Sequence, residues 1–179
     1  KSDFGEQVEP DCQAYNGDTG KRLHNVYPLL YNRCVYEASQ LYAKDGACLL
    51  ARAGWAGSQR YPAQWGGDPQ ADWEGLAASL RGGLSWANSG AACYATRDAE
   101  LFVRWTQAAV FSSHMRFHGI GDRAPWSYGE RSANAVMTAL KLRYRLLPYL
   151  WKALETACEC GLPVQRPMAG AFPDDPASW

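Results

Sequence analysis

The sequence of 179 residues predicts an α/β fold built on a parallel sheet. Short apolar segments between turn residues alternate along the chain with longer segments in which apolar residues recur at helical spacing. Strands separated by helices throughout are typical of a parallel sheet with crossover helices. A barrel and a doubly wound sheet both fit this alternation. The barrel is favoured because candidate active residues follow several successive strands.

Each predicted element rests on its own pattern. Strands are predicted where short apolar segments lie between turn residues, over 1–5, 47–51, 84–94 and 114–118. Helices are predicted where apolar residues follow the helical period, over 23–43, 72–80, 99–111 and 130–160. We expect Gly82 and Gly83 to end the second helix and Pro148 to kink the last one. From Gly161 onward, repeated prolines predict irregular structure.

Charge and hydropathy exclude several classes of function. Lys+Arg 18 balance Asp+Glu 18, so the chain has neither a basic footprint for nucleic acid nor a polybasic membrane patch. No apolar run approaches the length of a membrane span, and no signal segment leads the sequence. We therefore expect a cytoplasmic protein without nucleic-acid or membrane partners.

The cysteines indicate neither a disulfide framework nor a zinc site. The 6 cysteines are irregularly spaced, and the one close pair is Cys158-Glu159-Cys160. Buried free thiols in a reducing compartment are the expected state.

Two aspartates stand where an aromatic or apolar run gives way to glycine: Asp3, in the opening segment, and Asp68, after Trp65-Gly66-Gly67. Two carboxylates facing one site are the minimum for cleaving a glycosidic bond. Lys1 lies on the same face of a strand as Asp3 and would keep it ionised, as a nucleophile must be. Burial against Trp65 would raise the pKa of Asp68 and suit a general acid. The alternatives are a surface ion pair at Asp3 and a helix cap at Asp68, although Asp72 is the better cap candidate.

Two further polar residues end predicted strands. Arg52 follows the apolar run and needs an anionic or hydroxyl-rich partner, with a structural salt bridge as the alternative. His118 precedes a glycine, and a structural role is its alternative. In a barrel, these side chains and the two aspartates would all open toward one face.

These segments resemble glycoside hydrolase family 31, and most closely its α-xylosidase branch. The resemblance covers nearly the whole chain in order, through the segments 1–6, 23–31, 57–68, 79–85, 114–119, 142–150 and 172–176. The α-glucosidase branch usually carries a Met-Asn-Glu type sequence after its nucleophile, whereas Phe4-Gly5-Glu6 is similar to the xylosidase version.

The resemblance implies part of a (β/α)8 TIM barrel, roughly strands four to eight with their helices. Residues 1–162 are then the C-terminal part of the catalytic domain, and 163–179 begin a post-barrel segment. It also implies a retaining hydrolase that releases α-linked xylose from the non-reducing end of oligosaccharides. An α-glucosidase, or an inactive fragment with weak sugar binding, is the alternative.

The site residues come from the same resemblance. Asp3 matches the family's nucleophile and Asp68 its acid/base. The residues that match those around the first sugar are Lys1, Arg52, Trp65 and His118. No metal or organic cofactor is implied.

The chain departs from the family pattern in two places. The family's barrel has three strands before the nucleophile strand, where this sequence begins, so we expect exposed sheet edges and apolar surface for self-association or partner binding. After Ser89-Gly90 the family's His-Asp-Ile-Gly-Gly loop is missing, and a sugar-binding Asp with it. Asp98 is predicted to begin the next helix instead.

Overall fold

The computed structural model describes residues 1–61, 63–86, 89–94, 96 and 98–179, with the backbone alone for Trp86 and Ser89–Tyr94. Its α-helices are α1 Gly20–Gln40, α2 Trp73–Trp86, α3 Ala99–Ala109, α4 Glu130–Cys160 and α5 Met168–Ala171. Its strands are β1 Gln64–Trp65, β2 Ser89–Tyr94 and β3 Met115–His118. The chain divides into two compact units, Lys1–Gly67 and Asp68–Trp179.

The first unit is built from short parallel segments next to α1. Ala51 forms parallel bridges with Ser2 on one side and with Gln64 on the other. The backbone N–H of Ser2 donates to the carbonyl of Leu50 at 2.8 Å, and that of Trp65 donates to the carbonyl of Ala51 at 3.1 Å. The predicted strands over 1–5 and 47–51 therefore contribute single bridges instead of full strands.

The core of the first unit lies under α1. Leu49, Ala51 and Tyr61 are buried together, and the α1 side chains packed against them are Leu29, Val35 and Tyr36. Because Ala51 is the central bridge residue and is fully buried, the segment around it is fixed by pairing and by packing. The pairing and burial of Ala51 therefore hold the backbone of the adjacent residue, Arg52, in place.

The second unit contains a parallel strand pair with its crossover helix. β2 and β3 pair from Ala91 opposite Met115 to Tyr94 opposite His118, as predicted for a parallel sheet. The core cluster joins α2 and α3 and comprises Leu76, Leu101, Trp105 and Ala109, with Met115 and Phe117 of β3 packed against it. Asp98 caps α3 by accepting from the backbone N–H groups of Glu100 and Leu101, so its predicted place at the helix start is confirmed.

The predicted end of α2 is wrong. α2 runs from Trp73 through Gly82 and Gly83 to Trp86, so residues 84–86 are helical and the predicted strand over 84–94 shortens to Ser89–Tyr94. Neither glycine adopts the positive φ of a left-handed cap. Glycine inside a helix costs only about 1 kcal/mol relative to alanine, which the helix tolerates.

α4 continues through its proline. It spans Glu130–Cys160 with Pro148 inside, and Gly161 ends it with a φ of 72°. Arg143 of α4 donates to the carbonyls of Val110 at 3.0 Å and Ser113 at 2.9 Å, beyond the end of α3. The tail, predicted as irregular, contains the short helix α5 and a 3-10 turn over Pro176–Ser178.

A second apolar stripe of α4 is exposed. Val136, Ala139 and Leu150 face the interior. The exposed large apolar side chains of α4 include Met137, Tyr144, Leu147, Trp151 and Leu154, at a heptad-like spacing. Apolar surface is therefore exposed, while the exposed sheet edges and their use in association stay predictions. Within the described residues, the helices include none long and apolar enough to cross a membrane.

Candidate active site

Asp3 is surrounded by cations and N–H donors. Its Oδ2 accepts a hydrogen bond from Lys1 Nζ at 2.7 Å, and its Oδ1 accepts from the backbone N–H of Phe4 at 3.0 Å. Arg52 Nη1 lies 3.3 Å from Oδ1. The hydrogen bond from Lys1, aided by the Phe4 N–H and the charge of Arg52, outweighs desolvation and lowers the pKa of Asp3 below its ordinary value of 3.8. Asp3 is therefore a carboxylate at neutral pH.

The chain turns sharply directly after Asp3. Phe4 has a φ of 60° and Gly5 a φ of 102°, so two successive residues are left-handed. A Cβ on Gly5 would lie 3.0 Å from Cδ1 of Tyr31 and 3.3 Å from Cβ of Ala53, so glycine is required by space as well as by φ. The hydroxyl of Tyr31 donates to the carbonyl of Asp3 at 3.3 Å. A non-glycine left-handed residue beside a charged site is a form of strain that concentrates at functional sites.

Arg52 connects Asp3 to a second carboxylate. Its Nε donates to Oε1 of Glu6 at 2.9 Å, and its Nη2 contacts the same oxygen. The guanidinium carbon lies 4.5 Å from the centre of the Phe4 ring, in cation–π geometry. The side chain of Arg52 is only 17% exposed, so these charges act through a partly desolvated medium. The expectation that Arg52 needs an anionic partner is confirmed, and the pair with Glu6 is also the structural salt bridge given as its alternative.

Trp65 lies beside the same cluster. It is buried, and Lys1 Nζ lies 4.9 Å from the centre of its ring. The structure therefore brings together the predicted site residues of the first unit, which are Lys1, Asp3, Arg52 and Trp65. It adds Glu6, to which the sequence patterns assign no role. The sequence feature that could have indicated Glu6 is Arg52 itself, for which an anionic partner was expected but not named.

The other two predicted residues belong to the second unit. Asp68 is its first residue and is exposed, so the burial expected of this side chain is wrong. His118 is the last residue of β3, opposite Tyr94 and before Gly119, whose φ is 112°. Their assigned roles stay predictions.

The helix cap that was the alternative role for Asp68 is formed by Asp72 instead. Asp72 Oδ1 accepts the backbone N–H of Gly75 at 2.6 Å, and its carbonyl accepts the N–H of Leu76 at 3.0 Å. Asp72 is thus the cap of α2, as predicted, and this leaves Asp68 outside the capping interaction.

The cysteines differ from the expectation of burial. The five whose side chains are described are free thiols, but all five are exposed: Cys12, Cys34, Cys48, Cys158 and Cys160. Cys34 lies in α1, Cys158 and Cys160 lie in α4, and the other two lie outside the helices and strands. Within the described residues, no group of three or more His, Cys, Asp or Glu could hold a metal ion.

Comparison with known proteins identifies the family. The sequence model described as "Glycosyl hydrolases family 31 TIM-barrel domain" matches residues 1–153. An α-xylosidase of Emericella nidulans is 37% identical, over 98% of this chain and 24% of its own length. Alpha-glucosidase 2 of Bacillus thermoamyloliquefaciens is 34% identical, over 96% of this chain and 24% of its own length. The chain thus spans about a quarter of the length of these relatives.

Solved structures agree with the sequence matches. A family 31 sulfoquinovosidase from E. rectale superposes with a TM-score of 0.83 at 30% identity, over 98% of this chain and 30% of that one. Of the two folds that the alternation of elements left open, the barrel is therefore correct, while the numbering of its strands as four to eight stays a prediction. The chain belongs to glycosyl hydrolase family 31 and has the fold of that family's TIM-barrel domain.

Proposed function

We propose that the protein is a retaining α-xylosidase in which Asp3 is the nucleophile and Asp68 the acid/base. The observation that supports this most is the state of Asp3. It is an ionised carboxylate beside the end of a short parallel segment, with Lys1 Nζ 2.7 Å and Arg52 Nη1 3.3 Å from its oxygens. A side chain in this state attacks an electrophilic carbon without first losing a proton.

The reaction would run in two displacement steps. In the first, an oxygen of Asp3 bonds to the anomeric carbon while the glycosidic C–O bond breaks, and Asp68 gives its proton to the leaving oxygen. In the second, Asp68 takes a proton from water, the water oxygen bonds to the anomeric carbon, and the carboxylate of Asp3 is released. Two inversions give net retention. This mechanism requires carboxyl groups about 5–5.5 Å apart.

Other residues around Asp3 have chemistry that suits a bound sugar. We assign Trp65 to the first subsite through the family resemblance, and Lys1 Nζ lies 4.9 Å from the centre of its buried ring. Lys1 Nζ has donors beyond the one given to Asp3, and these would hold a hydroxyl of the sugar. We assign Arg52 and His118 to the same first subsite through the family resemblance. No metal or organic cofactor takes part in this proposal.

The xyloside preference rests on two observations. The sequence after the nucleophile is Phe4-Gly5-Glu6, similar to the xylosidase branch. The first relative above is an α-xylosidase at 37% identity, compared with 34% for the α-glucosidase. This margin is small, so α-glucosidase activity is the direct competitor.

The domain boundary is part of the same proposal. We assign residues 1–162 to the C-terminal part of the barrel domain and 163–179 to the start of the following segment. The family match ends at residue 153, and α4 ends at Cys160, which supports a boundary close to this point.

Hydrolysis of two chromogenic substrates tests the proposal. The full-length protein should release p-nitrophenol from p-nitrophenyl α-xyloside with a higher kcat/KM than from p-nitrophenyl α-glucoside. Asp3→Ala should abolish turnover, and Asp45→Ala, which removes an exposed carboxylate in a turn, should leave it unchanged. A higher kcat/KM for the glucoside would transfer the proposal to the α-glucosidase. Activity that survives in Asp3→Ala would overturn the assignment of the nucleophile.

A further inference from the structure

Arg52 makes closer contacts with the carboxylate of Glu6 than with that of Asp3. Both nitrogens of its Nε–Nη2 edge contact a single oxygen of Glu6, Oε1. Asp3 meets Nη1 at the longer distance of 3.3 Å. The stronger of the two contacts is therefore made to the residue that has no role in the proposed reaction.

The local backbone is shaped to make this division possible. The two left-handed residues after Asp3, with φ of 60° at Phe4 and 102° at Gly5, reverse the chain so that Glu6 returns to Arg52. The Phe4 ring lies 4.5 Å from the guanidinium carbon and limits how it can rotate. A strained turn is thus used to bring Glu6 to the side chain of Arg52.

We propose that Glu6 is a positioning residue that occupies the Nε–Nη2 edge of Arg52, so that Arg52 meets Asp3 through Nη1 and does not grip it with its fork. This inference rests on the proposed role of Asp3 as nucleophile. A bidentate arginine would add charge-assisted hydrogen bonds to a carboxylate whose two oxygens already accept from Lys1 and the Phe4 N–H, which makes it a poorer nucleophile. Lys1 keeps Asp3 ionised, and Glu6 limits the hydrogen bonds that Arg52 makes to it.

The two effects of losing Glu6 act in the same direction on Asp3. Removing a negative charge next to Arg52 leaves the arginine's positive charge unshared, which favours the ionised form of Asp3. Freeing the fork adds charge-assisted hydrogen bonds to that form. The other groups that face Asp3 are Lys1 and the N–H of Phe4, and both are unchanged. The pKa of Asp3 should therefore fall further, while its reactivity decreases.

Three variants in the full-length protein test this inference. Glu6→Ala and Glu6→Ser leave the fork of Arg52 free, whereas Glu6→Gln retains an acceptor oxygen for it. We expect kcat to fall about 10²-fold in Glu6→Ala and Glu6→Ser, the order of loss for a displaced reacting group, with little change in KM. Glu6→Gln should recover most of this loss. Glu37→Ala, which breaks an exposed pair with Arg33, is the matched control and should have wild-type kcat.

A titration that does not depend on turnover separates this inference from the proposed function. The ¹³C carboxyl signal of Asp3, assigned by its loss in Asp3→Asn, should titrate at lower pH in Glu6→Ala and Glu6→Ser than in the wild type, with Glu6→Gln closer to the wild type. An unchanged or raised midpoint in the Ala and Ser variants, or a Glu6→Gln shift equal to theirs, would overturn the positioning role. If the wild type hydrolyses no glycoside, the proposed function fails while this titration still decides the role of Glu6.

Discussion

Lys1 Nζ lies 2.7 Å from Oδ2 of Asp3 and 4.9 Å from the centre of the Trp65 ring. This one ammonium group therefore connects the carboxylate that we propose as nucleophile to the aromatic surface that we propose for the sugar. Its hydrogen bond is also the largest cause of the lowered pKa of Asp3.

Removing this ammonium should shift the acidic limb of the reaction. Asp3 must be ionised to attack, and its pKa in the folded protein is lowered, so activity is retained as pH falls until Asp3 protonates. Lys1→Met raises the pKa of Asp3, and the acidic limb of kcat/KM should therefore move to higher pH. Lys44→Met, at an exposed turn position, is the control. An acidic limb that does not move in Lys1→Met would show that Lys1 does not control the ionisation of Asp3.

The tight turn after Asp3 should be sensitive to a single methyl group. Gly5→Ala combines a φ of 102° with a Cβ placed 3.0 Å from the Tyr31 ring, and we expect it to lower the free energy of unfolding by roughly 2–3 kcal/mol. Gly17→Ala has a comparable φ of 85° but no atom within 4 Å of its Cβ, so it should cost only about 1 kcal/mol. Urea unfolding of both variants measures the difference. Equal losses would show that contacts with Tyr31 and Ala53 do not restrict position 5.

Arg143 should hold the end of α3 in place. Its guanidinium donates to the carbonyls of Val110, Ser112 and Ser113, and burial lowers its pKa. Arg143→Met leaves these carbonyls without their donor, and we expect a loss of roughly 2 kcal/mol in the free energy of unfolding. Arg145→Met, on an exposed position of the same helix, should change it by less than about 0.5 kcal/mol. Thermal and urea unfolding compare the two variants.

Two substitutions of Asp98, the N-cap of α3, test how much its side chain stabilises the helix. Asp98 Oδ1 accepts from the N–H groups of Glu100 at 2.9 Å and Leu101 at 3.2 Å. Asp98→Ala should lower the free energy of unfolding by about 1 kcal/mol, while Asp98→Asn retains the acceptor and should recover most of that loss. If both variants lose the same amount, the charge of Asp98 matters more than its capping oxygen.

Periodicity predicted the parts of the fold that depend on local sequence. α3, β3 and α4 lie within two residues of their predicted bounds because their apolar spacing is regular and their ends carry strong signals, such as Asp98 and Gly161. α2 was predicted too short, because glycine was interpreted as a terminator where its φ remained helical.

The candidate site was only partly predictable, since its contacts join distant parts of the sequence. Asp3 and Arg52 were found separately, Asp3 in the predicted strand over 1–5 and Arg52 at the end of an apolar run. The contact between Glu6 and Arg52 spans 46 residues and depends on two left-handed residues that no propensity at Phe4 indicates. The burial expected of Asp68 was wrong because exposure depends on neighbours that the local pattern does not specify.

Covalent trapping tests the central claim most directly. The nucleophile displaces the anomeric fluoride of a 5-fluoroxylosyl fluoride as fluoride ion, and the glycosyl ester that forms hydrolyses slowly. The labelled residue can therefore be located by tandem mass spectrometry of the peptide that contains Lys1–Glu6. We expect one xylosyl group on Asp3 of the full-length protein, and none in Asp3→Ala. A label on Glu6 or on any other carboxylate, or turnover without a label on Asp3, would contradict the account.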